Sequence, residues 1–294
     1  MSLAIITKDR PSTLEACLWS IIPQATSKDE ILIIDSSADN RTKALCHQLQ
    51  KYSSAPIHHY FEPRPGYDIG RNRAVKEAKG YLLGFTDDDC VLDSHWMHEM
   101  KKTMTSHSSV DIVAGESMTY FPHNVCALAT QFYEIFWKKN AIKNDSIIDL
   151  EILDTKNIVY RRSLFTKYKL IFSNIYSKGR CWTTDDRDMG MQLMEVKAKA
   201  FYQPKAIVYH KDPQILKTYI KKILFSAIST EFYLKKWAKK RELIRQTGFT
   251  KKSTLSYIYK LYHPLRHEQI MLSLLLGGTD RILQYAPVIS YYYE

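Results

Sequence analysis

Cysteine is scarce in this 294-residue chain, and what there is does not pair by spacing. Cys17, Cys46, Cys90, Cys126 and Cys181 are odd in number and widely separated, with no C-x-x-C pair and no local Cys/His cluster, which argues against a disulfide scaffold or a structural zinc site. Long apolar runs are missing too: none approaches the roughly 18 residues that a membrane-spanning helix needs. The opening MSLAIITKDRP turns polar at Lys8 and Asp9, too soon for the apolar core of a signal peptide, so the reducing cytoplasm is the expected compartment. Glycine-rich phosphate loops are also absent, since Gly66 to Gly80 holds neither G-x-G-x-x-G nor G-K-[ST]. That removes the dinucleotide and P-loop readings.

What remains is the makeup of a folded protein with a basic end. Hydrophobic residues are 45% and charged residues 25% of the chain, enough to bury a sizeable core in one large domain with an appendage. Lys and Arg number 42 against 31 Asp and Glu, a net charge of +11. The excess is uneven: Lys211–Glu294 holds 15 basic and 6 acidic residues, and the stretch before it 27 and 25. Electrostatically the chain is two pieces, residues 1–210 and residues 211–294.

The first piece alternates short apolar runs with helical patterns, the signature of an α/β sheet built by crossover connections. Strands are expected at Leu3–Thr7, Ile31–Asp35, Ile57–Phe61 and Tyr81–Thr86, with shorter ones at Asp111–Gly115, Asn157–Tyr160 and Ala206–His210. Ser12 and Glu15 make a capping-box pattern ahead of Leu14, Cys17, Leu18, Ile21 and Ile22 on one helical face. A helix around Ile69–Ala78 is expected to end at Gly80, and another to start at Asp93. In the second piece Ile215, Tyr219, Ile220, Ile223, Ala227 and Ile228 repeat at helical spacing among lysines, giving a basic amphipathic helical region.

The most unusual string is FTDDDC, three consecutive carboxylates directly after an apolar strand. Their mutual repulsion is costly without a cation. Residues two apart on extended backbone point the same way, so Asp87 and Asp89 can face one site while Asp88 faces elsewhere. One or two carboxylates with positions left for phosphates and water suit Mg²⁺ or Mn²⁺; a solvated loop or a helix cap is the competing account. The C-terminal end of a strand favours the site, because open α/β sheets bind ligands there. A second acidic group, Asp185, Asp186 and Asp188, opens a helical pattern, where the dipole explains one or two carboxylates but not three. His210 follows at the end of AIVYH, beside Asp212. A lone histidine there is more often structural than a ligand.

The order of these elements resembles a family 2 glycosyltransferase with a GT-A fold. The matching strings are TKDRP, IIDSS, GYDIGRNRAVKEAKG leading to FTDDDCVLDSHWM, NIVYRRSLF, TTDDRDMGMQL and YQPKAIVYH, in that order over residues 3 to 210. The resemblance implies a Rossmann-like mixed sheet flanked by helices. It places Thr7 and Arg10 at the nucleotide base and ribose, Asp35 at a base N–H, and Arg71 at the nucleotide or its diphosphate, with Asn72 supporting that turn. Asp87 would lie nearer the ribose and Asp89 on the divalent ion, with Asp88 between them in the nucleotide-contacting group and able to exchange roles with a neighbour. His210 would be a further metal or diphosphate contact. Asp186, with Asp185 as its acidic partner, matches the catalytic base.

The implied activity is inverting, metal-dependent transfer of a single sugar from a nucleotide diphosphate donor to a hydroxyl acceptor on a glycan or lipid-linked molecule, in glycan, lipopolysaccharide or polysaccharide assembly. Family habit points to a UDP-sugar, and recognition of a pyrimidine N–H also fits a dTDP-sugar. The acidic pair is Asp-Asp here where the family has Glu-Asp, and Asp188 leaves the register of the base open. The Q-x-x-R-W string of processive synthases is absent. Competing readings from other classes are a metal-dependent nucleotidyltransferase and a non-catalytic membrane or nucleic-acid binding protein, although no nucleic-acid module is visible and no such partner is expected. Lys235, Lys236, Lys239, Lys240 and Arg241, with Tyr233 and Trp237 interleaved, suit either the anionic inner face of the cell membrane or a solvated helix face. Arg161 and Arg162 are split between solvation and acceptor contact, His95 and His98 lack a third ligand, and Phe132, Tyr133, Phe136, Trp137 and Trp182 form either an acceptor shelf or core.

Overall fold

The computed structural model describes residues 1–142, 147–173, 185–223, 233 and 235–239, without the side chains of 133, 136, 137, 139 and 140. Two compact units are present, Met1–Trp237 and Ala238–Glu294, and the fold described here is that of the first. Among the described residues no helix is long and apolar enough to cross a membrane.

The first four strands are β1 (Ser2–Thr7), β2 (Glu30–Asp35), β3 (Ile57–Phe61) and β4 (Leu82–Asp87), all parallel in the order β3-β2-β1-β4. Their residues alternate between two buried faces. Leu3, Ile5, Ile31 and Ile33 pack on one side, and Ala4, Ile6, Leu32 and Ile34 on the other. Burial on both faces explains why these strands read as unbroken apolar runs. Helices α1 (Pro11–Ile21), α2 (Arg41–Gln50) and α3 (Tyr67–Glu77) make the crossovers.

Beyond β4 the sheet becomes mixed. After β5 (Cys90–Leu92) and α4 (Trp96–Ser106) come β6 (Ile112–Thr119), α5 (Val125–Ala141), β7 (Ile147–Ile148), β8 (Ile158–Arg161), α6 (Ser163–Tyr168), α7 (Asp185–Glu195) and β9 (Ala200–His210). The sheet runs β3-β2-β1-β4-β8-β6-β9-β5, with β7 also on β9. β9 pairs parallel with β6 and antiparallel with β5, so its last residue, His210, lies opposite both Thr119 and Cys90.

Several local expectations are corrected. Pro11 is the first residue of α1, where its missing N–H is harmless, and Arg10 is the cap residue without a side-chain capping bond, so the Ser12/Glu15 capping box does not form. The helix before β4 stops at Glu77, and Gly80 serves another purpose: a Cβ there would lie 2.6 Å from the Ser2 nitrogen. Asp93 caps the turn leading into α4 by accepting the His95 amide at 2.9 Å. β5 and β7 are too short to show an apolar period, and β9 extends well before Ala206 because its central residues lie partly exposed and read as polar.

Candidate active site

The C-terminal ends of β1, β2 and β4 deliver Thr7, Asp35 and Asp87 to one edge of the sheet. Asp88 and Asp89 then form a turn between β4 and β5. Asp88 is fully buried; it accepts from Thr7 Oγ1 at 2.7 Å and pairs with Arg10 Nη2 at 2.5 Å. Arg10 Nη1 reaches Asp89 Oδ2 at 2.9 Å. Burial works against the Arg10 charge, but Asp88 and Asp89 hold it firmly protonated. Burial raises the Asp88 carboxyl to about 7, with Arg10 opposing. Beneath the turn, the buried Cys17 thiol donates to the Asp87 carbonyl at 3.5 Å, and Cys90 lies in the same core.

Asp89 meets His210 on its other side, with Nε2 at 3.4 Å from Oδ1. His210 Nδ1 is 2.8 Å from Asp212 Oδ1, and Lys222 Nζ stands 3.7 Å from that same oxygen. Burial disfavours the imidazolium, yet its bonds to Asp212 and Asp89 outweigh this and raise His210 to about 9. Burial likewise pushes Asp89 up, but His210 and Arg10 hold it well below the usual carboxylate range.

The second acidic segment begins α7 and comes to the same place. Arg71, on the buried side of α3, pairs through Nη1 with Asp185 Oδ2, while its Nη2 lies 3.8 Å from Asp87 Oδ1. One guanidinium thus bridges the two segments. Burial and the neighbouring Asp185 charge push Asp186 up to about 8; Asp154 adds to this, Arg71 opposes it, and the Arg187 amide donates to Asp186 Oδ1 at 2.7 Å. Asp188 faces away from this group and is fully buried, accepting from Trp237 Nε1 and Gln192 Nε2.

The donor set fits a divalent cation. Asp89 Oδ1 is buried and meets His210 Nε2 at 3.4 Å, and ligand atoms of Asp89, Cys90 and His210 lie within 4.8 Å of one another. Burial pushes the Cys90 thiol up, so it stays protonated and ligates poorly. Asp89 is the oxygen donor that Mn²⁺ or Mg²⁺ prefers, and His210 would have to release its Nε2 proton to add a nitrogen donor.

Other expected residues are placed less simply. Both oxygens of Asp35 are engaged within the fold, Oδ1 by the Ser37 amide at 2.9 Å and Oδ2 by His59 Nε2 at 2.8 Å. Asn72 clasps the Phe172 backbone, donating to its carbonyl at 2.7 Å and accepting its amide at 3.0 Å. Arg161 ends β8 and donates to the Val110 and Met104 carbonyls, and Arg162 donates to the Gly80 carbonyl; both are structural. His95 and His98 are exposed and join no metal group among the described residues. Of the stripe weighed between a membrane face and a solvated helix face, Tyr233 and Trp237 are buried and Lys236 pairs with Asp188. Lys240, Arg241, Trp182 and the side chains of Tyr133, Phe136 and Trp137 lie outside the described residues.

Sequence reasoning missed a buried charge network at the same sheet edge. β8 begins at Ile158 opposite Phe85, so the residues just before it come up beside Asp87. There Lys156 pairs with Asp154 and, at 2.9 Å, with Glu134, and Lys138 pairs with Glu116 at 3.1 Å. Tyr67 was missed as well; its ring stands 5.4 Å from the Arg71 guanidinium carbon. The signal for the network was the pair of opposite charges in DTKN directly before an apolar strand.

Three comparisons bear on this geometry. A family model described as "Glycosyl transferase family 2" matches residues 2–169. The chain is 25% identical over 197 residues to the glycosyltransferase AglE of Haloferax volcanii, a match covering 66% of this chain and 63% of that protein. It thus spans less than two thirds of AglE. Among solved structures, the mannosyltransferase PcManGT from Pyrobaculum calidifontis, in complex with GDP-Man and Mn²⁺, is similar at a TM-score of 0.65 and 14% identity, covering 99% of this chain and 80% of that one. S. aureus TarS 1–349 in complex with UDP is similar at a TM-score of 0.56 and 13% identity, covering 81% and 71%. The sheet and its flanking helices are those of the GT-A fold.

Proposed function

The chain belongs to glycosyl transferase family 2, and from that premise we propose that it transfers a single sugar, with inversion, from a nucleotide diphosphate donor to a hydroxyl acceptor on a glycan or lipid-linked molecule. The observation that carries this reading is the Arg71 bridge, which joins the carboxylates of the β4 exit to those that open α7. A UDP-sugar is the proposed donor, in keeping with the UDP complex of the TarS neighbour. Residues 1–210 form the proposed catalytic region, and the proposed task of 211–294 is acceptor or membrane association.

Thr7, Arg10 and Asp35 hold the nucleoside end, and Asp87 lies toward the ribose. Arg71 is placed to stabilise negative charge that grows on the departing diphosphate. Asp89 and His210 would hold Mn²⁺ or Mg²⁺, which as a Lewis acid neutralises that leaving group. Asp186 accepts the proton of the attacking hydroxyl, a task suited to a carboxylate raised to about 8 rather than one held low. Asp188 is committed to Trp237, and Asp185 to Arg71, which leaves Asp186 as the base.

The test is a pair of variants assayed by UDP binding with Mn²⁺ and by nucleotide release. Asp186→Asn should keep binding within about twofold and lower turnover about a thousandfold, within the range a general base supplies. Asp89→Ala should abolish metal-dependent binding. Near-normal transfer by Asp186→Asn would remove the base assignment, and release of pyrophosphate instead of a nucleoside diphosphate would reassign the reaction to nucleotidyl transfer.

A further inference from the structure

The transfer reaction leaves Asp188 without a task, yet it is among the most enclosed carboxylates in the protein. It lies one turn into α7 from Asp185, and its side chain has no solvent exposure. Oδ1 receives Lys236 Nζ at 2.5 Å and Trp237 Nε1 at 2.8 Å, and Oδ2 receives Gln192 Nε2 at 3.1 Å. A carboxylate taken out of water this completely needs opposite charge and hydrogen bonds to compensate. Two of its three partners come from 48 and 49 residues further along the chain.

The same distant segment makes a second tie. Tyr233 is fully buried, its hydroxyl donates to Glu151 Oε1 at 2.5 Å, and the Arg187 guanidinium carbon sits 4.6 Å from its ring. Glu151 belongs to the 3₁₀ turn Leu150–Ile152. The Leu150 carbonyl occupies the space that any side chain at position 190 of α7 would need, so the helix and this turn meet backbone to backbone. The start of α7 is therefore held by the 3₁₀ turn and by Tyr233, Lys236 and Trp237. Its hydrogen-bond ladder alone would leave that start prone to fraying, because the first four N–H groups of a helix lack intrahelical partners.

We propose that Tyr233, Lys236 and Trp237 form a latch that fixes the first turn of α7 and, through it, the placement of Asp185 and Asp186. They are positioning residues, acting through α7. The part of the proposal that concerns turnover rests on the reading of Asp186 as the base; the part that concerns the helix does not. Thr7, Arg10 and Asp89 sit on β1, the loop after it and the β4 exit, so the latch governs alignment of the base and reaches the donor site only through the Arg71–Asp185 pair. A misplacement of about 1 Å can cost on the order of a hundredfold in rate, which sets the size of the effect.

The experiment uses the full chain and the variants Trp237→Phe, Lys236→Met and Tyr233→Phe, with Lys236→Arg as the charge-preserving rescue and the exposed Lys239→Met as control. Amide hydrogen exchange over residues 185–190 is followed first, since it needs no substrate. UDP affinity with Mn²⁺ and turnover on the UDP-sugar that gives fastest UDP release are then compared. The latch variants should exchange about tenfold faster over 185–190. Their kcat should fall roughly ten- to a hundredfold, with donor KM changed by no more than about threefold, and Lys236→Arg and Lys239→Met should stay close to the unaltered protein. Unchanged exchange over 185–190 in Trp237→Phe would overturn the latch, and faster exchange with undiminished kcat would overturn its positioning role. If Asp186→Asn kept full turnover while the latch variants still exchanged faster, the base reading would fall and the helix anchor would stand.

Discussion

Two segments of this protein each hold three aspartates within four residues, and they have become chemically different sites. At the β4 exit, Asp89 sits between His210 and Arg10 and is held well below the usual carboxylate range, ready to keep a negative charge against a cation. At the start of α7, Asp186 is driven the other way by burial and by Asp185, up to about 8, where a carboxylate can take and release a proton near neutral pH. Each segment also spends one carboxylate on structure. Asp88 ties β1 to β4 through Thr7 and Arg10, and Asp188 ties α7 to Trp237 and Lys236. Residue type sets what a side chain can do; its neighbours set what it does.

The sharpest way to break the comparison is to remove the group that both segments share. If Arg71 acts on the leaving group as proposed, Arg71→Met should lower kcat/KM about a thousandfold, because that stabilisation and the alignment of Asp185 would be lost together; steady-state kinetics with a UDP-sugar checks this. A smaller effect is expected on one side only. His210→Ala should weaken Mn²⁺ binding by about ten- to a hundredfold, read by titration calorimetry, while Asp186 keeps its environment.

The mildest change addresses the acid–base difference itself. At saturating Mn²⁺, if Asp186 is the base as proposed, kcat/KM should fall about tenfold per pH unit below about pH 8, where that carboxyl is protonated. Asp185→Asn should move that limb to lower pH. It removes the like charge that raises Asp186 and releases Arg71 from its strongest partner, and Asp154 is left as the remaining carboxylate that opposes the shift.

How much of this was legible follows from how local each signal is. The parallel half of the sheet could be read because β1, β2 and β4 are buried on both faces, and the three-aspartate string could be read because adjacent like charges are rarely neutral in meaning. Asp188 could not be separated from Asp185 and Asp186, since its partners Lys236 and Trp237 are far away in the chain. The same distance hid the true role of Tyr233 and Trp237, whose spacing among lysines looks like a lipid-facing stripe. Asp154 and Lys156 escaped notice because a buried ion pair in an otherwise polar tetrapeptide is indistinguishable from a solvated one until β8 is laid against β4.

The two thiols under the β4 exit give the protein a built-in stopwatch. Cys17 and Cys90 have no solvent exposure, and burial next to the aspartates suppresses their ionisation. An alkylating reagent can therefore reach them only while the floor of that turn is open. The rate at which they are modified reports how often the acidic turn breathes, and a bound cation that tightens the turn would slow the clock without any sugar being moved.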